Sequence, residues 1–197
     1  MTAEPIFQSA GQALHVAFLM QILPVTQKVS TQMLIDALRQ ASGKMEARIA
    51  SPVNMGGMSP LEFRGQCAMV TAAAQHHLMA PEFAAVRSRF GHQLTKAQGV
   101  MALAEYLQPQ SGIEHNWALR ALVWSHYHRG SQRSADRWSL RKIEGETGVP
   151  VHTLRKAADV VRDAGTSLER RAEVRLEELF SRTGLIPLLD DLQPQRA

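Results

Sequence analysis

The sequence predicts an all-α protein, a helical bundle with a C-terminal helix-turn-helix. Ala, Leu, Met, Gln and Arg are plentiful while aromatic residues are only 6%, a mixture of strong helix formers with few β-branched or aromatic runs. Apolar residues recur at three- and four-residue spacing between capping residues and Gly or Pro stops. The stretch SLRKIEGETGVPVHTLRKAADVV, Ser139 to Val161, sets a glycine between two short helical patterns with a basic pair just beyond it. A chain of 197 residues with 45% hydrophobic content can fill one good-sized core or two small ones.

The first element is an amphipathic helix expected from about Ser9 to Leu23 and stopped by Pro24. A second pattern runs from Ser30 to about Ala41, with Ser30 or Thr31 as cap and Met33, Leu34, Ala37 and Leu38 on one face. These form an N-terminal helical region over residues 1–50. Pro52, Gly56 and Gly57 make residues 42–58 the best linker in the chain, and a boundary is expected there.

A central bundle follows over residues 59–128. Ser59 and Pro60 stand as cap and first-turn proline of a helix running through LEFRGQCAMVTAAAQHHL. Pro81 opens the next helix and Gly91 ends it. Thr95 is expected to cap a helix that Pro109 closes. From Gly112 to about His128, Ile113, Trp117, Ala121 and Trp124 share one helical stripe, with core packing the expected use of the tryptophans and Gly130 the stop.

Residues 129–182 form the expected helix-turn-helix module. Ser139 caps its first helix, and Leu140 and Ile143 face inward. Gly148 stands where a positive φ is needed, Val149 packs into the angle, and Pro150 suits the next helix start. Leu154, Ala157, Ala158 and Val161 give the second helix a buried stripe. Glu144 departs from the pattern, since such motifs carry a small residue under the second helix; a slight rotation would expose Glu144 and let Gly145 make the tight contact. Residues 183–197 are a tail whose apolar cluster could dock on the body, on a second subunit or on a partner.

Net charge is +4 and the pI about 9.6, a bias that favours a polyanionic partner. Between Arg129 and Arg162, eight Lys or Arg stand against four Asp or Glu, so the basic surface coincides with the motif. Arg133, Arg137, Arg141 and Lys142 are the expected phosphate contacts, preceding or opening the first helix. His152, Thr153, Arg155 and Lys156 occupy the exposed beginning of the second helix, where Arg155 alone has a planar fork matched to guanine O6 and N7.

The segment LVWSHYHRG, a basic loop, the motif itself and the continuation SLERRAEVRLEELF together resemble the closing segment of sigma-factor region 4 and of small bacteriophage regulators, including the Q antitermination proteins. The preceding GHQLTKAQGVMALAEYL followed by such a module is similar to proteins of prophage late-gene control regions. The resemblance covers about the last 110 residues. It implies a phage or prophage DNA-binding regulator that binds near a late promoter, joins RNA polymerase and lets it read through terminators. It also puts Arg155 and Lys156 at DNA-contacting positions. Some Q proteins hold zinc with cysteine clusters, which a chain with one cysteine cannot do.

Other constellations are weak. His76 and His77 are adjacent on a helix and point about 100° apart, and His126 and His128 are no better spaced for a metal. No Walker loop, GxSxG or dinucleotide fingerprint is present, so neither a cofactor nor catalysis is expected. Cys67 beside Ala68 and Met69 reads as a small core residue. A lone cysteine suits a reducing compartment, and the acidic start MTAEPIF with no membrane-length apolar run suits the cytoplasm of a bacterial host. The expected function is DNA-binding transcription regulation, with antitermination preferred over repression and a helical interaction module that binds no DNA as the alternative. Double-stranded DNA, RNA polymerase and a second copy of the chain are the candidate partners.

Overall fold

The computed structural model describes residues 5–23, 53–54, 57–128 and 138–188. The second expected helix, most of the linker, Gly130, Arg133, Arg137 and the last residues of the tail lie outside these. The described residues are helical without strands: α1 Ala10–Ile22, α2 Pro60–His77, α3 Ala80–Phe90, α4 Gln93–Ser111, α5 Asn116–Tyr127, α6 Leu140–Thr147 and α7 Val151–Arg182. None is long and apolar enough to cross a membrane. Two compact units divide the chain. One is formed by the described residues up to Leu78 and from Glu173 on, the other by Met79–Ala172.

In the first unit, Ser9 caps α1 by accepting from the Gln12 amide at 3.2 Å. The amphipathic expectation for α1 is corrected: from Gln12 to Met20 every residue is buried. The reason is chemical, since AGQALHVAFLMQI contains no charged residue, and a helix apolar on all sides is stable only when surrounded. Arg64 of α2 closes its far end, donating to the Met20 and Leu23 carbonyls at 3.1 Å each. In α2 the expected cap is a full capping box, in which Ser59 and Glu62 satisfy each other's backbone amides. Phe63, Cys67, Val70 and Ala74 point inward. Burial pushes the Cys67 thiol up to about 12, against a smaller opposing pull from Arg64. The beginning of the tail docks here, with the Phe7 amide on the Leu185 carbonyl at 3.0 Å and Ile186 buried.

In the second unit, α3, α4, α5, α6 and the first part of α7 share one core, built on Leu103, Leu107, Leu119, Leu122 and Val123. Helix α3 ends at Gly91 as expected. Two expectations for α4 are corrected. It begins at Gln93 rather than after Thr95, because the Thr95 amide already bonds back to the His92 carbonyl at 3.0 Å. It also runs through Pro109 to Ser111, ending where Gly112 takes a left-handed φ of 65°. Gly99 lets α4 lie against α3: a Cβ there would stand 2.7 Å from the Ser88 nitrogen and 2.9 Å from the Ala84 carbonyl oxygen.

Helix α5 starts four residues later than expected, with His115 Nδ1 accepting from the Ala118 amide at 3.3 Å. Ile113 therefore precedes the helix, yet it is buried in the same core. Trp117 and Trp124 pack half-buried against that core. Helix α7 is fastened to α3 by the Arg89–Glu169 ion pair at 2.5 Å and by Arg171 beside the buried Glu82 carboxylate at 3.8 Å.

Candidate nucleic-acid interface

The candidate surface grows from a turn of three residues, Gly148 to Pro150, between α6 and α7. Ser139 caps α6 by accepting from the Lys142 amide at 3.2 Å. Helix α6 ends when Gly148 enters the left-handed region at φ 70° and donates its amide to the Glu144 carbonyl at 2.7 Å. Nothing crowds the place where its Cβ would be, so the demand for glycine here is conformational rather than steric. The Thr147 hydroxyl donates to the Ile143 carbonyl at 2.7 Å and accepts from the Val149 amide at 3.3 Å. The Pro150 carbonyl then receives two amides from the first turn of α7, those of Thr153 and Leu154, at 3.0 Å.

Glu144, the residue that departs from the expected pattern, has a specific place. Its Oε1 accepts from the Val151 amide at 3.0 Å, so the first helix supplies the cap of the second. A carboxylate is well matched to the positive end of a helix. The alternative in which Gly145 makes the tight contact is corrected: Gly145 is exposed, and no atom of another element lies within 4 Å of its would-be Cβ. Packing completes the pair, with Ile143, Leu154, Ala157 and Val161 buried and Leu140, Val149 and Ala158 half-buried against the core.

That packing fixes what remains outside. Arg141 and Lys142 of α6 and His152, Arg155 and Lys156 of α7 are exposed, while Thr153 is half-buried. On a helix turning about 100° per residue, His152, Arg155 and Lys156 share one face of the first two turns. Arg141, Arg155 and Lys156 form no ion pair with any described residue. Lys142 is tethered differently: its Nζ sits 4.1 Å over the Trp138 ring, and Trp138 meets Trp117 edge-on at 4.8 Å. The structure thus brings Arg141 and Lys142 onto one helix and His152, Thr153, Arg155 and Lys156 onto the next, whereas Arg133 and Arg137 fall outside the described residues.

Farther along α7 one arginine is held by two carboxylates. Arg162 meets Asp159 at 2.9 Å and Asp163 at 3.2 Å, and its pKa is raised by the hydrogen bond to Asp163 first and the charge of Asp159 next. Sequence reading points to neither this group nor the Glu144 cap. The i, i+3 spacing of Asp159 and Arg162 was a readable signal; a cap reaching seven residues across a turn was not. Comparison with known proteins returns no match, either among protein-family models or among curated proteins.

Proposed function

We propose that the protein is a non-enzymatic DNA-binding transcription regulator that reads double-stranded DNA with the first turns of α7. The observation that carries this reading is the group Arg141, Arg155 and Lys156, exposed and without ion pairs among the described residues, on two helices joined by a turn that Gly148 and Glu144 fix. Leu154, Ala157 and Val161 anchor the opposite side of α7 in the core, so the basic face is presented on a supported helix. In a helix-turn-helix the second helix enters the major groove N-terminus first. Arg155 then has the geometry for a bidentate contact to guanine, Lys156 and Arg141 for phosphates, and His152 and Thr153 for the backbone beside them. Within this class, late-gene antitermination with RNA polymerase is preferred to repression, on the resemblance to phage regulators.

The test compares a duplex selected from a random pool by the wild-type protein with a mixed-sequence duplex. Arg155→Ala should lose about 1–3 kcal/mol on the selected site and little on the mixed one, whereas Lys156→Ala should weaken both alike. A wild-type selectivity ratio in Arg155→Ala would remove α7 as the reader. A second reading, a protein-interaction module, is favoured by exposed Leu61 and Met69 on α2, which are 75% and 56% accessible. It predicts no steep loss of binding with salt, in contrast to phosphate contact.

A further inference from the structure

The outward face of α7 turns from basic to acidic over its first four turns, with the exposed Arg170 farther along the same face. At about 100° per residue, His152, Arg155, Lys156, Asp159 and Asp163 fall within a single arc, opposite the buried Leu154, Ala157 and Val161. The rise of the helix sets Asp159 about 6 Å beyond Arg155, and Asp163 about 10 Å beyond Lys156. Arg162 at the edge of that arc is held by both carboxylates, at 2.9 and 3.2 Å. One guanidinium between two carboxylates leaves this patch net negative and engages the Nε and Nη2 groups of the arginine. Duplex DNA carries one negative charge per about 1.7 Å of axis. Phosphates following the basic start of this face would therefore meet Asp159 and Asp163, and like charges brought together disfavour that pose.

Resting on the reading of α7 as the DNA-contacting helix, we infer that Asp159 and Asp163 are specificity determinants that act by exclusion. They confine DNA contact to the first two turns of α7, hold Arg162 away from phosphates, and so suppress sequence-independent binding along the helix. Selectivity then comes from a short end-on approach through His152, Arg155 and Lys156, with a penalty against lying lengthwise.

The experiment measures binding of the full chain to a mixed-sequence duplex of about 20 base pairs by fluorescence anisotropy across a salt series, with circular dichroism as the control for helix content. Asp159→Asn/Asp163→Asn should bind about 3–10-fold more tightly at low salt, and its log–log salt slope should steepen by about one, as the freed Arg162 neutralises one more phosphate. The single variant Asp163→Asn should move in the same direction by less. Unchanged or weakened binding in the double variant, while Arg155→Ala/Lys156→Ala loses affinity, overturns the inference and leaves the DNA-reading role of α7 standing. Full affinity in Arg155→Ala/Lys156→Ala overturns that role itself, and the inference with it.

Discussion

Glu144 offers the sharpest test of how the turn is held. Its carboxylate accepts from the Val151 amide at 3.0 Å, at the positive end of a helix 32 residues long. Glu144→Ala deletes both the hydrogen bond and the charge, a loss of about 1–2 kcal/mol on the scale of helix caps. Glu144→Gln keeps an acceptor oxygen in the same place and forgoes only the interaction of charge with the helix end, about 0.3–1 kcal/mol. The bond from the Gly148 amide to the Glu144 carbonyl uses backbone and survives in both variants. For a chain of this length about 1 kcal/mol corresponds to about 2–4 °C in Tm, so the alanine variant should melt about 2–8 °C lower and the glutamine variant should fall between it and wild type. Trp117, Trp124 and Trp138 are the three tryptophans of the chain and all lie within Met79–Ala172, so intrinsic fluorescence reports on the unit that contains the turn. Coincident melting of Glu144→Ala and wild type would mean that water serves the Val151 amide equally well. Equal losses in the alanine and glutamine variants would mean that charge, not the bond, supplies the whole effect.

Two glycine substitutions should move stability in opposite directions. Gly99→Ala brings a Cβ within 3 Å of α3 backbone atoms, and overpacking less the gain in helix propensity should leave a net loss of about 1–2 kcal/mol in a denaturant titration. Gly145→Ala meets open space on α6 and should gain about 0.5–1 kcal/mol; a loss there would refute helix propensity as the governing effect. Burial, followed by the charge of Lys96, holds the His92 imidazole below its ordinary range. The unfolded chain therefore binds that proton more readily, and the stability this group contributes is complete above its unfolded value near 6.5 and is lost as pH falls through that value toward the folded one. Thermal melts of His92→Gln between about pH 7 and 5 should show a shallower decline than wild type, and an identical slope would assign the acid sensitivity to other groups.

The parts of this protein that sequence made legible are those whose physics is local. Ser59 followed by Pro60, Ser139 before α6, and Gly148 between two apolar patterns each act on backbone groups within a turn of themselves, so spacing alone identified them. Leu154, Ala157 and Val161 read as core for the same reason, since helical periodicity fixes which residues share a face regardless of what that face meets. What depends on a packing partner is not written in local spacing. Whether α1 shows one apolar face or is enclosed depends on how much chain surrounds it, and only its lack of charge hinted at the answer. Pro109 removes one helical hydrogen bond, but it need not end α4 when residues on either side remain helical to Gly112. Glu144 shows the limit most clearly. As a letter in a motif it was a flaw, a bulky charged residue where a small one was expected; in three dimensions it is the group that caps α7. A departure from a motif at a turn is therefore best judged by which backbone amide the residue can reach, because a side chain too large to fit beneath the next helix can be the right length to cap it.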